Sequence, residues 1–380
     1  MIRLSCIQRS LPSAALAGLA FLLCLRAFPA GADETDNFYL PLNTELADLG
    51  PFLEAANTMA LEEAVAEVNI RIEKALLIEE ESVRARRLQE LHDPLALAHA
   101  FVRRFGHPRF EDSQMDRALG GSWARQSFTG RKSSSQDLWM NFAAHFPLDL
   151  RRWMMLMQSP TVKACGVYFS GDKIVHFHHI GLDYYRRYRS LLQEGLSPEA
   201  AYSKVIKHYG ATAFWSEELM FGLVATGVYS NADMAANHAG FKFFMNLTDK
   251  VSLKGTVSEP LLVRSGVFWR LNQHVRPRSG WFSVFISDHW NEALNPNLYD
   301  FTMRPGIRCI LRSRAKSIVT FYTQKDNRPH NAEYFNTLAR ELSTYYGEPY
   351  GHSGQVDTLM TIGNTCFPVV RAAAPNGASR

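Results

Sequence analysis

GDKIVHFHHIGLDYY (residues 171–185) and SEELMFGLVATGVYSNADMAANHAG (residues 216–240) carry a few ionisable side chains among apolar and small ones, at helical spacing. A helix begun at Asp172 and turned about 100° per residue puts Asp172, His176, His179 and Asp183 on one side. Ile174, Phe177, Gly181, Tyr185, Tyr188 and Leu192 fall opposite. The polar row reads as a cleft-facing line in which carboxylates hold imidazole tautomers, able to bind a metal or move a proton. The same pattern also describes a solvated face, and Arg186 and Arg187 extend it past Asp183. Asp172 and His176 start the helix beside a strand end, where sites gather. His178 turns to the apolar side and reads as a hydrogen-bonded core histidine.

Further along, Ser197-Pro198-Glu199 opens a helix with a cap, a first-turn proline and an acid suited to the helix dipole. Glu218 shares a face with Ala211, Phe214, Phe221, Gly222 and Ala225. A carboxylate in that company is poorly hydrated, which raises its pKa and suits it to general acid catalysis. The alternative is a structural ion pair with a neighbouring Lys or Arg. Ser230 caps a third helix, with Ser230 and Asp233 spaced as a capping box. Its wet side is expected at Asn231, Ala235, His238, Lys242 and Asn246, which turns Asp233, Asn237, Gly240 and Phe244 inward. A buried Asn237 amide needs a polar partner from another element. The Ala and Gly content permits close approach to the helix bearing Glu218, and the two outline a buried polar pocket.

At the start of the chain, Arg3 and Arg9 precede an apolar run from Ala14 to Leu25, and Ala30-Gly31-Ala32 supplies a small-x-small cleavage pattern. The run is shorter than the roughly 20 residues that span a bilayer, so residues 1–32 are expected to be a signal peptide, with export to a periplasmic or secreted location and no stable membrane span after cleavage. The formal charge of +4 then falls to about +1 as Arg3, Arg9 and Arg26 leave. Without a Lys/Arg tract, that balance argues against nucleic acid as a partner. Cys165, Cys309 and Cys366 remain. A Cys309–Cys366 disulfide with Cys165 as a buried thiol is one arrangement, and three reduced thiols the other.

The expected fold class is α+β, mostly α-helical. A helical N-terminal region (33–160) and a central helical region carrying the candidate site (161–250) pack with a smaller C-terminal α+β lobe (251–380). Residues 51–90 read as one long helix or two in tandem, and Asp93-Pro94 caps and starts another. A Gly/Ser-rich loop over 120–136, a helix over 148–157 and a strand over 161–169 follow. After Lys250, LLVRSGVFWRLN, WFSVFISD, IRCILRS and KSIVTFYTQ read as strands, and HNAEYFNTLARELSTYYG as a helix ended by Gly347. In SDHWNEALNPNLY (287–299), Asp288 reads as an N-cap, Glu292 as an exposed first-turn acid and Trp290 as a stacking surface, a secondary site that would also use His289.

The run GDKIVHF resembles the Asp-Lys-x-x-His-Phe pattern of VanZ-like membrane proteins and some small envelope lipoproteins, over seven residues and without their transmembrane context. Residues 231–247 are similar to the late Asn-x-x-x-Gly helix of lytic transglycosylases, which cleave glycan with a single glutamate. Here Asn237 and Gly240 stand one residue closer, and the Glu-Ser dipeptide of that family is absent. Serine-hydrolase, phosphate-loop, dinucleotide and HExxH motifs are missing.

Two functions fit. One is an exported hydrolase or lyase acting on an envelope glycan, with Glu218 as general acid/base, Asp233 or Asp172 as its charged partner and His176 as a second proton carrier. Asn237 would orient substrate or water, and His179 and Trp290 would bind substrate. The other is a non-catalytic envelope-binding or assembly protein knitted by a buried polar network. No motif assigns a cofactor, although Asp172, His176, Glu218 and Asp233 supply nitrogen and oxygen ligands suited to a divalent metal.

Overall fold

Alanine, leucine and glutamate dominate residues 50–76, and the apolar positions recur every three or four residues, so the chain opens as a helix with one long buried stripe. The computed structural model describes residues 42, 46–105, 161–209, 228–253, 255–295, 297–299, 301, 304–346 and 360–368. The expected signal peptide, the loop over 120–136, the helix over 148–157 and Glu218 lie outside them.

The first helices are α1 (Gly50–Leu76), α2 (Glu81–His92) and α3 (Pro94–Phe105), so residues 51–90 form two helices in tandem. Asp93 caps α3 as expected, its Oδ1 accepting the Leu95 N–H at 2.9 Å. Polar residues in the α1 stripe tie it to distant chain. Asn69 exchanges two 2.9 Å bonds with the Trp269 backbone, Thr58 accepts from the Trp281 indole, and Glu54 accepts the Gly280 N–H.

The single strand expected over 161–169 is a hairpin, β1 (Thr161–Ala164) and β2 (Val167–Ser170). Cys165 and Gly166 both take positive φ, 51° and 80°, as a tight two-residue hairpin turn requires. Asp48 accepts both of their N–H groups at 2.8 Å.

The hairpin feeds α4 (Asp172–Val175), a π-helical turn (His176–Ile180) and α5 (Gly181–Gln193) in one continuous rod. After α6 (Pro198–Lys207) and strand β3 (Val228–Tyr229), α7 (Asn231–Asn246) packs along the rod. The contact is at backbone distance. A methyl placed on Gly240 would meet the Phe177 carbonyl oxygen at 1.9 Å, and one on Gly181 would meet the Gly240 backbone at 2.6 Å. This close approach is made to the rod that carries His176; the segment bearing Glu218, to which approach was expected, lies outside the described residues. The expected wet side is nearly absent, because Asn231, Ala235, His238 and Asn246 are all buried and only Lys242 and Met245 reach partial exposure.

Next come the hairpins β4 (Val251–Leu253) with β5 (Thr256–Ser258) and β6 (Leu262–Ser265) with β7 (Phe268–Leu271), while β8 (Leu298–Tyr299) returns to pair with β3. The run LLVRSGVFWRLN is the β6–β7 hairpin. WFSVFISD is not a strand but a 3₁₀ turn (Trp281–Phe285). IRCILRS and KSIVTFYTQ belong to one helix, α8 (Arg304–Asp326), followed by α9 (Ala332–Tyr346) and α10 (Ile362–Cys366). Their β-branched residues suggested strands, yet Ile307, Ile310, Leu311, Ala315, Ile318 and Tyr322 are the buried ones, at helical spacing. The described residues are thus mostly α-helical with short antiparallel two-stranded sheets, the α+β class expected.

One apolar core joins α1, α3, α5 and α7 to Trp269, Trp281 and Trp290. A second gathers Leu46, Tyr168, Val228, Tyr299 and the inner face of α8. Cys165, Cys309 and Cys366 are all free thiols, so the expected Cys309–Cys366 bond is not formed here. Cys309 lies on the exposed face of α8, while Cys366 packs against the second core.

Candidate functional site

The rod and α7 meet at their N-terminal ends, and a third segment, residues 288–295 with Asn297, closes beneath them. Asparagine holds that segment in shape. Asn291 Oδ1 accepts from Ala293 N and Leu294 N, Asn295 Nδ2 donates to the carbonyls of Asp288, His289 and Asn291, and Asn297 Oδ1 accepts the Asn231 N–H at 3.0 Å. These bonds deliver Glu292 to the start of the rod, so the acid expected on the surface is fully buried.

At the centre is the Lys173 ammonium, with no exposed surface. It contacts Asp172 Oδ2 at 2.9 Å and Glu292 Oε1 at 2.8 Å, and it pairs closely with Asp233 Oδ1. Glu292 Oε1 also accepts from Ser170 N at 3.3 Å. Burial pushes the Glu292 carboxyl up to about 8, opposed by Lys173 and reinforced by the charge of Asp172.

His176 forms the rim, its side chain 13% exposed. Its Nδ1 lies 3.0 Å from Asn237 Oδ1, so the ring donates there and turns Nε2 toward the carboxylates. Nε2 stands 3.4 Å from Asp233 Oδ2 and 3.9 Å from Asp172 Oδ2. The polar partner that a buried Asn237 requires is this imidazole. Asp233 has two duties: its N–H is capped by Ser230 Oγ at 3.1 Å, and its carboxylate faces Lys173 and His176.

Of the residues singled out in the sequence, Asp172, His176, Asp233 and Asn237 converge. His179 and Asp183 do not join them. The π turn adds a residue to the helical repeat and swings later side chains away from the row that 3.6 residues per turn implies. The Asp183 side chain is about half exposed and pairs with Arg186, and His179 belongs to its surroundings. Trp290 is fully buried between Phe169 and Phe177, with ring centroids at 5.1 and 5.7 Å, so it offers no stacking surface. His289 and Asp288 point elsewhere, to Glu341 and to Arg328 and Tyr334. His178 is a core histidine as read, stacked on Phe105 at 4.0 Å and bonded to Asn57 Oδ1 at 2.9 Å.

Sequence reasoning missed Lys173 and misplaced Glu292. The signal for Lys173 was its position between Asp172 and Ile174, where a solvated lysine has no reason to stand. Glu292 left no comparable signal, because its burial depends on how residues 288–295 dock. Comparison of the chain with protein-family models, curated proteins and solved structures returns no match.

Proposed function

We propose that this chain is an exported hydrolase or lyase acting on an envelope glycan, with its reactive centre in the cluster of Asp172, Lys173, His176, Asp233 and Glu292. The observation that carries the reading is the convergence of three acidic side chains on a single buried ammonium, with an oriented imidazole facing two of them. In such a site Glu292, whose carboxyl burial pushes upward, is the acid, Asp172 and Asp233 are its carboxylate partners, and Asn237 sets the imidazole. Glu218, the acid first favoured, lies outside the described residues, and Glu292 supplies the same chemistry within the cluster.

Release of soluble fragments from isolated cell walls tests this reading. The wild-type chain is expected to release them, and Asp172→Asn and His176→Ala to reduce release by about 100-fold or more. A wild-type chain that releases nothing ends the enzyme reading.

The second reading, a non-catalytic envelope protein, is favoured by the depth of burial, since the side chains of Lys173, Asp233 and Glu292 are at most 1% exposed. It expects the same substitutions to lower stability, with no release to lose.

A further inference from the structure

Lys173 engages one oxygen of each aspartate, Oδ2 of Asp172 and Oδ1 of Asp233. This leaves Asp233 Oδ2 facing His176 Nε2 at 3.4 Å. Among the described residues, Asp172 Oδ1 and Glu292 Oε2 meet no hydrogen-bond donor, although both atoms are buried. A buried carboxylate oxygen without a partner carries a desolvation cost that something must offset.

We propose that Asp172, His176 and Asp233 bind one divalent transition ion of the zinc or manganese kind, an inference that rests on the same cluster as the proposed hydrolase. Three lines of geometry support it. The ligand atoms of the three residues lie within 4.8 Å of one another, and the His176–Asp233 separation of 3.4 Å matches the edge of a tetrahedron, about 3.4 Å when ligands stand about 2.0–2.1 Å from the ion. The Asn237 amide oxygen takes the Nδ1–H of His176, the outer-shell bond that fixes a metal-binding tautomer and leaves Nε2 as donor. Lys173 is shared among Asp172, Asp233 and Glu292, so acidic groups outnumber the single cation that faces them.

One nitrogen and two carboxylates are a donor set for zinc or manganese. Calcium asks for six or more oxygens, and magnesium keeps most of its water. The His176 side chain is 13% exposed, so a fourth ligand would be a water entering past its ring, and a bound zinc would lower the pKa of that water toward about 7.

The full chain, stripped with a chelator, is titrated calorimetrically with Zn²⁺, Mn²⁺ and Mg²⁺ in turn. One Zn²⁺ or Mn²⁺ per chain is expected, with Mg²⁺ clearly weaker. Asp172→Asn and His176→Ala each weaken binding by more than about 100-fold, and Asn237→Ala by about 10–100-fold through loss of the tautomer bond. Circular dichroism establishes that each variant is folded. Cobalt substitution of the wild type needs no variant: a four-coordinate visible spectrum is expected. No bound ion in the wild type, no such spectrum, or binding unchanged in folded Asp172→Asn and His176→Ala overturns the site. Wall-fragment release that continues undiminished in metal-free protein removes the metal and spares the hydrolase, whereas one bound ion without release does the reverse.

Discussion

Lys173 and Asn237 show how a single side chain acquires meaning from what closes around it. Both were available as letters, but only Asn237 carried an argument of its own, because a buried amide must find a partner and its place on α7 required burial. His238, one residue on, is the opposite case: it read as solvated, yet it is 2% exposed. The Tyr202 hydroxyl on α6 pairs with His238 Nε2, and Lys242 lies over the Tyr202 ring at 4.5 Å. Burial first, then the charges of Lys242 and His289, push His238 down to about 3. The folded value lies below the ordinary 6.5, so the unfolded chain takes the proton first. The contribution is complete above about pH 6.5 and is lost as pH falls toward 3, at about 1.4 kcal/mol per pH unit. Melts between pH 7 and 4 should show this slope in the wild type and less of it in His238→Gln, whose amide oxygen can still accept from Tyr202. Equal slopes would remove the account.

At the level of elements, the crossing of α5 and α7 decides where the site forms. Gly240 sits against the Phe177 carbonyl and Gly181 against Gly240, so no side chain separates the two backbones. Gly240→Ala forces that crossing apart and should cost about 3 kcal/mol or more, at the upper end of overpacking effects. Urea unfolding measures it, and a loss below about 0.5 kcal/mol would mean that the helices slide apart freely. The caps at Asp93 and Ser230 and the extended character of β6 and β7 were legible, because each is set by residues a few positions apart. The π turn was not, since a single wider turn leaves no mark in a pattern laid out at 3.6 residues per turn. The strand-like runs of α8 misled for a related reason: β-branched composition outweighed a buried pattern that is clear only once the partner core is in view.

Over the whole molecule, free Cys165, Cys309 and Cys366 imply that melts with and without a thiol reductant should superimpose. A reductant-sensitive drop of several degrees would point to a bond absent from this structure. No helix among the described residues is long and apolar enough to cross a membrane. Local sequence by itself determined the mostly helical α+β class, the caps at Asp93, Ser197 and Ser230, the burial of His178, and the demand of Asn237 for a polar partner. Helical period, capping chemistry and the desolvation of an amide all act over one or two turns, so each can be read where it is written. Tertiary structure alone decided that Glu292, 119 positions from Lys173 along the chain, comes to lie 2.8 Å from its ammonium. It also decided that α7 is buried on almost every side and that His179 leaves the polar row. Those outcomes depend on which surfaces exclude water from one another, and that is settled only when the docked elements close.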